Sequence, residues 1–189
     1  MRLILLGAPG AGKGTQAAAL AEHFGVPHIS SGELLRGHVA AGTELGRKVA
    51  VYLDRGELAP DDLVMAVVAE ALSRAGPGYI LDGFPRTVSQ ARQAETRFGA
   101  GLADAVVFLQ VPDDLARQRL AQRMATGRSD DRDPEVFERR LRAFHAETEP
   151  LVDYYRDRGL LVTVDAAQPP DSVTAAILAA LVAAPRTLR

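Results

Sequence analysis

The stretch Gly7-Ala8-Pro9-Gly10-Ala11-Gly12-Lys13-Gly14-Thr15 gathers residue types that can hold a polyphosphate. Its glycines let several backbone N–H groups converge on phosphate oxygens, and a helix opening after the loop adds partial positive charge. Lys13 supplies a compact cation for the terminal phosphates. The apolar run from Arg2 to Leu6 reads as a short buried strand and Thr15 to Phe24 as a helix, the setting such a loop requires. Lys13 and Lys48 are the only lysines in a chain otherwise rich in arginine, and one of them sits in this loop. One position departs from the usual pattern. Gly14 follows the lysine where a hydroxyl is common, and the hydroxyl arrives at Thr15. A Mg²⁺ ion here is expected to rest mainly on phosphate oxygens and water.

A second segment, Tyr79-Ile80-Leu81-Asp82-Gly83-Phe84-Pro85-Arg86, ends a further strand. Asp82 falls where a carboxylate at a strand end could hold Mg²⁺ through water, and Arg86 is expected to point from the strand edge towards the phosphates.

These groups need a scaffold. Strand patterns at 2–6, 26–29, 79–81, 105–111 and 160–164 alternate with helical patterns at 15–24, 31–42, 44–55, 61–72, 88–97, 112–124 and 134–158, and a last helix follows 169–171. Asp61 reads as the N-cap of its helix. Alternation of this kind predicts an α/β fold, a parallel sheet with helices on both faces and its ligand at the carboxyl edge. The 189 residues suit one domain, with a helical insert at 30–59 and a polar loop within 124–134 placed to cover a ligand. Gly42, Gly46, Gly56 and Gly127 are expected as flexible points. A net charge of −2 provides no global basic field for nucleic acid or an anionic membrane. The apolar runs at 1–6 and 175–184 are too short for a secretory leader or a membrane span. The absence of cysteine excludes disulfides and cysteine-ligated zinc and is compatible with a reducing compartment.

The segments GAPGAGKGTQ, SSGELLR, DGFPRT and GRSDD, in this order, make the whole chain resemble the adenylate kinases, here of the short-lid bacterial type. The resemblance implies a P-loop NTPase-type five-stranded parallel core with an AMP-binding insert and a lid. It implies a monomeric cytoplasmic enzyme that transfers a phosphoryl group from Mg·ATP to AMP, giving two ADP. By the same resemblance Gly10, Ala11, Gly12, Lys13, Gly14 and Thr15 face the ATP phosphates. Arg119 and Arg123 lie near ATP, and Gln168 lends its backbone to the adenine. Ser31, Arg36, Glu57, Leu58, Ala59, Gly83, Phe84, Pro85, Arg86 and Gln90 form the AMP site, with Gln90 reading the adenine edge. Arg128 matches the lid arginine, followed by Asp130 and Asp131. The arginine on the long helix is Arg139 by counting from Arg128, or Arg140 by the residues that follow; the downstream pattern through Glu147 and Thr148 favours Arg140. With four residues between Arg123 and Arg128 there is no room for the long lid or its zinc.

The implied reaction suits these residues. The second ionisation of a phosphate lies near pH 6, so AMP needs no general base, and His23, His38 and His145 are expected in surface or packing roles. His28 is also placed outside the motifs, with a position near the ligands left open. What two polyanions need is fixed positive charge. Lys13, Arg36, Arg86, Arg123, Arg128 and Arg140, with Mg²⁺, would supply it, arginine binding phosphate oxygens bidentately. The nearest alternative is a UMP or CMP kinase of the same group. A nucleotide-controlled binding switch would want an Asn-Lys-x-Asp segment, which the chain lacks.

Overall fold

The strands are β1 (Arg2–Gly7), β2 (His28–Ser30), β3 (Tyr79–Asp82), β4 (Ala105–Gln110) and β5 (Leu161–Asp165). They form one five-stranded sheet in the order β2-β3-β1-β4-β5, and every pairing is parallel. The computed structural model describes residues 1–99, 101–125 and 133–183, with the backbone alone at 123–125. The helices among these are α1 (Lys13–Phe24), α2 (Ser31–Ala40), α3 (Glu44–Arg55), α4 (Asp61–Arg74), α5 (Val88–Phe98), α6 (Asp113–Ala125), α7 (Pro134–Ala143), α8 (Pro150–Arg156) and α9 (Pro170–Ala183).

Period-two alternation sorts the strand residues between two cores. Leu3 and Leu5 of β1, Ile80 of β3 and Val107 of β4 pack with Leu20 of α1 and Ile177 of α9. Ile4, Leu6, Leu81 and Val106 face the opposite side, against Val49 of α3, Val68 of α4, Ala91 of α5 and Leu151 of α8. Burying one such aliphatic side chain contributes about 1.5–3 kcal/mol, so the sheet is held from both faces. Because all strands run the same way, Gly7, Ser30, Asp82, Gln110 and Asp165 end together at one edge.

Four local expectations are corrected. The second strand begins at His28, not Val26, because the Val26 N–H closes the end of α1 on the Ala21 carbonyl at 3.0 Å, with Gly25 at φ 63° making the turn. The helix expected over 134–158 is interrupted. Pro150 has no N–H to continue the ladder, the Glu149 N–H reaches back to the Phe144 carbonyl at 2.8 Å, and residues Phe144–Thr148 form a π-helical turn between α7 and α8. Asp61 does not cap α4. Pro60 holds the cap position with no side-chain hydrogen bond, and Asp61 is the first helical residue. Gly46 is a packing point inside α3: a Cβ there would lie 2.1 Å from the His38 carbonyl oxygen of α2. Gly56, by contrast, ends α3 at φ 69°, a left-handed turn that glycine adopts without strain. Gly127 lies outside the described residues, as do 126–132 of the expected lid.

Candidate active site

The loop between β1 and α1 carries Gly10 at φ 84° and Gly12 at φ 93°. These are values that glycine adopts without strain, and a Cβ on Gly10 would lie 2.8 Å from the Ala116 carbonyl oxygen. Lys13 curls over the loop, its Nζ donating to the carbonyls of Gly7 at 2.6 Å and Ala8 at 3.0 Å. A cleft of about 700 Å³ opens above, lined by Gly10, Gly12, Lys13, Gly14 and Thr15, with His28, Arg36, Asp82, Arg86 and Arg140 around it. Ala11 is buried in the core beneath, outside the cleft lining, and its N–H donates to the Ala8 carbonyl at 3.1 Å.

A second cavity of about 460 Å³ adjoins the first, lined by Ser31, Glu57, Leu58, Ala59 and Gln90 together with apolar Leu35, Val39 and Val64. Arg36, Arg86 and Arg140 line both cavities and so stand at their junction. Arg139 turns away, its Nε donating to the Arg55 carbonyl at 2.8 Å.

β3 delivers the centre of the site. Asp82 is 8% exposed. Burial pushes its carboxyl up, but His28 beside it and the charges of Lys13 and Arg86 outweigh that and hold it below the ordinary carboxylate range. The His28 Nε2 lies 3.6 Å from Asp82 Oδ2. A Cβ on Gly14 would lie 3.9 Å from the same oxygen, so the start of α1 borders the carboxylate. Gly83, at φ 75°, turns the chain. Its carbonyl accepts from the Ser31 hydroxyl at 2.6 Å and from Arg86 Nε at 2.8 Å. Loss of hydration brings the Arg86 guanidinium down to about 10; Arg140 pushes the same way, Asp82 opposes, and Arg36 adds to the fall. Phe84 is fully buried in the core and is not among the residues lining either cavity.

α5 supplies Gln90, which is 1% exposed. The Thr87 hydroxyl accepts the Gln90 backbone N–H at 3.0 Å, capping the helix. The Gln90 side chain accepts from the Arg86 backbone N–H at 2.8 Å and donates to Asp61 Oδ1 at 2.8 Å. At the far side of the loop, Arg119 Nη2 donates to the Ala166 carbonyl at 2.7 Å and reaches the Gln168 carbonyl at 3.5 Å, drawing α6 and the turn after β5 together. The Arg123 side chain and Arg128, Asp130 and Asp131 lie outside the described residues.

The sequence reading left one residue of this region, His28, open and missed the roles of two others, Thr148 and Asp61. His28 shares a face of β2 with Ser30, and both line the cleft; alternation along that strand was the available signal. Thr148 lines the cleft from the π-helical turn, which Pro150 signals. Asp61 has no local signal, since its partner Gln90 is 29 residues away.

A family model described as adenylate kinase matches residues 5–160. An adenylate kinase from Synechococcus sp. (strain WH7803) is 44% identical over 183 residues, covering 95% of this chain and 98% of the relative. Adenylate kinase 1 from Nostoc sp. (strain PCC 7120) is 48% identical over 185 residues, with 95% and 98% covered. An adenylate kinase from Methylobacterium radiotolerans is 44% identical over 191 residues, covering 96% of each. With the match spanning both the phosphate loop and the paired cavities, this chain belongs to the adenylate kinase family.

Proposed function

We infer that the chain catalyses reversible phosphoryl transfer from ATP to AMP, giving two ADP. The observation that carries this reading is the junction of two cavities, where Arg36, Arg86 and Arg140 line both. One cavity contains the phosphate loop and Lys13. The other contains Gln90 and apolar walls suited to a base. Two nucleotides seated there would meet phosphate to phosphate among the arginines.

Phosphoryl transfer proceeds through a loose transition state with charge spread over the oxygens, so catalysis is positioning and electrostatics. Lys13 and the loop N–H groups would hold the β and γ phosphates. Arg86, whose pKa is lowered first by lost hydration and then by the charges of Arg140 and Arg36, would be relieved by an anion between it and Arg140. Arg36 would orient the AMP phosphate, and Ser31, fixed on Gly83, would line its site. Arg119 and the backbone at Gln168 would flank the ATP base; Arg123 and Arg128 complete the proposed set from α6 and the lid. The insert at 30–59 and the lid at 124–134 are proposed to close over the substrates and exclude water, the competing acceptor.

The nucleotide would enter as its magnesium complex. Asp82 fits that ion: it is a hard oxygen ligand, held ionised, beside the loop and open to the same cleft. It would hold the ion through water. When bound, Mg²⁺ neutralises charge on the β and γ phosphates. No zinc is assigned, the sequence having no cysteine. ATP, AMP and ADP are the proposed partners, handled by a monomer in the cytoplasm. Both cavities form within one chain, and among the described residues no helix is long and apolar enough to cross a membrane.

The test is ADP production from Mg·ATP with a panel of AMP, UMP, CMP and IMP. AMP is expected to be the preferred acceptor by a wide margin. Failure to make ADP from AMP, or preference for a pyrimidine monophosphate, rules the reading out.

A further inference from the structure

Gln90 lines the second cavity, and Asp61 stands behind it without reaching the cavity wall. The contact between them satisfies the buried Gln90 amide and ties the start of α4 to α5. Asp61 occupies the start of α4, where an acidic side chain commonly caps the helix, yet it makes no cap hydrogen bond. Its carboxylate instead accepts from Gln90 Nε2 at 2.8 Å. On the other side of the amide, the Arg86 backbone N–H donates to Gln90 Oε1 at 2.8 Å.

These two partners leave the amide one orientation. An ionised carboxylate only accepts and a backbone N–H only donates, so Nε2 must face Asp61 and Oε1 must face Arg86. Turning the amide over would set oxygen against carboxylate and NH₂ against N–H. Each end keeps one further valence, a hydrogen on Nε2 and a lone pair on Oε1. The cavity is thus offered a donor and an acceptor in fixed order.

That order separates two classes of purine. Adenine presents an amino hydrogen at its six-position beside an accepting ring nitrogen. A 6-oxopurine presents an accepting oxygen at that place beside a ring N–H. A freely turning amide meets either edge equally well, whereas a fixed one meets only one of them in a given pose of the base. We propose that Asp61 is a specificity-determining positioning residue, which by locking the Gln90 amide makes the monophosphate site select a 6-aminopurine over a 6-oxopurine. The proposal rests on the assignment of the second cavity to AMP.

The test compares wild type with Asp61→Asn, an isosteric change that can face either end of the Gln90 amide and so removes one of the two obstacles to turning it, the Arg86 backbone N–H remaining as the other. The kcat/KM for AMP and for IMP is measured with Mg·ATP saturating. In the wild type AMP is strongly preferred. In Asp61→Asn the AMP-to-IMP ratio is expected to fall by roughly tenfold or more, the scale of one lost hydrogen-bond discrimination, while the KM for ATP stays unchanged. Asp61→Ser, whose hydroxyl also donates or accepts, gives the same reading if the first variant does not fold. An unchanged AMP-to-IMP ratio in a folded variant with a merely lower rate overturns the proposal and leaves AMP kinase activity standing. A wild type inactive with AMP overturns both.

Discussion

Replacing Arg86 with Met should make the nucleotide-free protein more stable while disabling transfer. The guanidinium is brought down to about 10 by lost hydration and by Arg140 and Arg36, so in the empty cleft its charge is unfavourable. A free guanidinium titrates well above that, and each tenfold in proton affinity is about 1.4 kcal/mol, which puts the unscreened cost on the order of 3 kcal/mol. Arg86 is only partly buried, so water screens part of this. The substitution also removes the Nε bond to the Gly83 carbonyl, worth about 1 kcal/mol, although Ser31 still satisfies that oxygen. The net expectation is a gain of about 1 kcal/mol, or roughly 2–4 °C in melting temperature for a chain of this size. The cost is complete below the folded value of about 10 and is relieved only above it, so the gain should be constant from pH 6 to pH 9. Thermal melts in low-salt buffer, with and without sulfate, measure it. Sulfate should stabilise wild type more than Arg86→Met, and turnover with AMP should fall by about a thousandfold or more. A variant that melts below wild type without ligand, or responds equally to sulfate, would show that the three arginines do not repel one another in the empty site.

Lys13→Met should lower turnover at least about a hundredfold, with stability reduced by about 1–2 kcal/mol, since it loses hydrogen bonds to two loop carbonyls and its charge beside Asp82; near-normal ADP production would remove Lys13 from its assigned role. Gly46→Ala forces a Cβ onto the His38 carbonyl, so α2 and α3 must separate at a cost of about 1–3 kcal/mol. The KM for AMP should rise and that for ATP hold, and equal changes in both would count against the insert as the AMP side. His145 is held above its ordinary pKa, first by Glu149, against some loss of hydration, and then by Asp113. A raised folded pKa stabilises fully below the unfolded value near 6.5 and is lost as pH rises through the folded one. His145→Gln should therefore be less stable than wild type at pH 5.5, by under about 1 kcal/mol for so exposed a group, and nearly equal at pH 9. Urea denaturation at the two pH values decides this, and a deficit that grows with pH would contradict the assignment.

The sequence by itself determined the scaffold and the phosphate loop, because both are written in local signals. Alternating apolar residues marked β1 and β4, and glycines around Lys13 marked a loop whose positive φ angles only glycine adopts freely. DGFPR placed Asp82 and Arg86 at a strand end for the same reason. Tertiary structure decided what depends on chains meeting. The sheet order puts Ser30 beside Asp82 in register and so brings His28 to the carboxylate. The close approach of α2 and α3 made Gly46 a contact in place of a flexible point. Pro150, legible as a residue, acted through a π-helical turn that carries Thr148 to the cleft. Asp61 is the plainest case. Its type and place foretold a helix cap, but a glutamine 29 residues away competes for the same carboxylate. Local propensity is worth about 1 kcal/mol at such a position, and a buried amide that must otherwise go unpaired outweighs it.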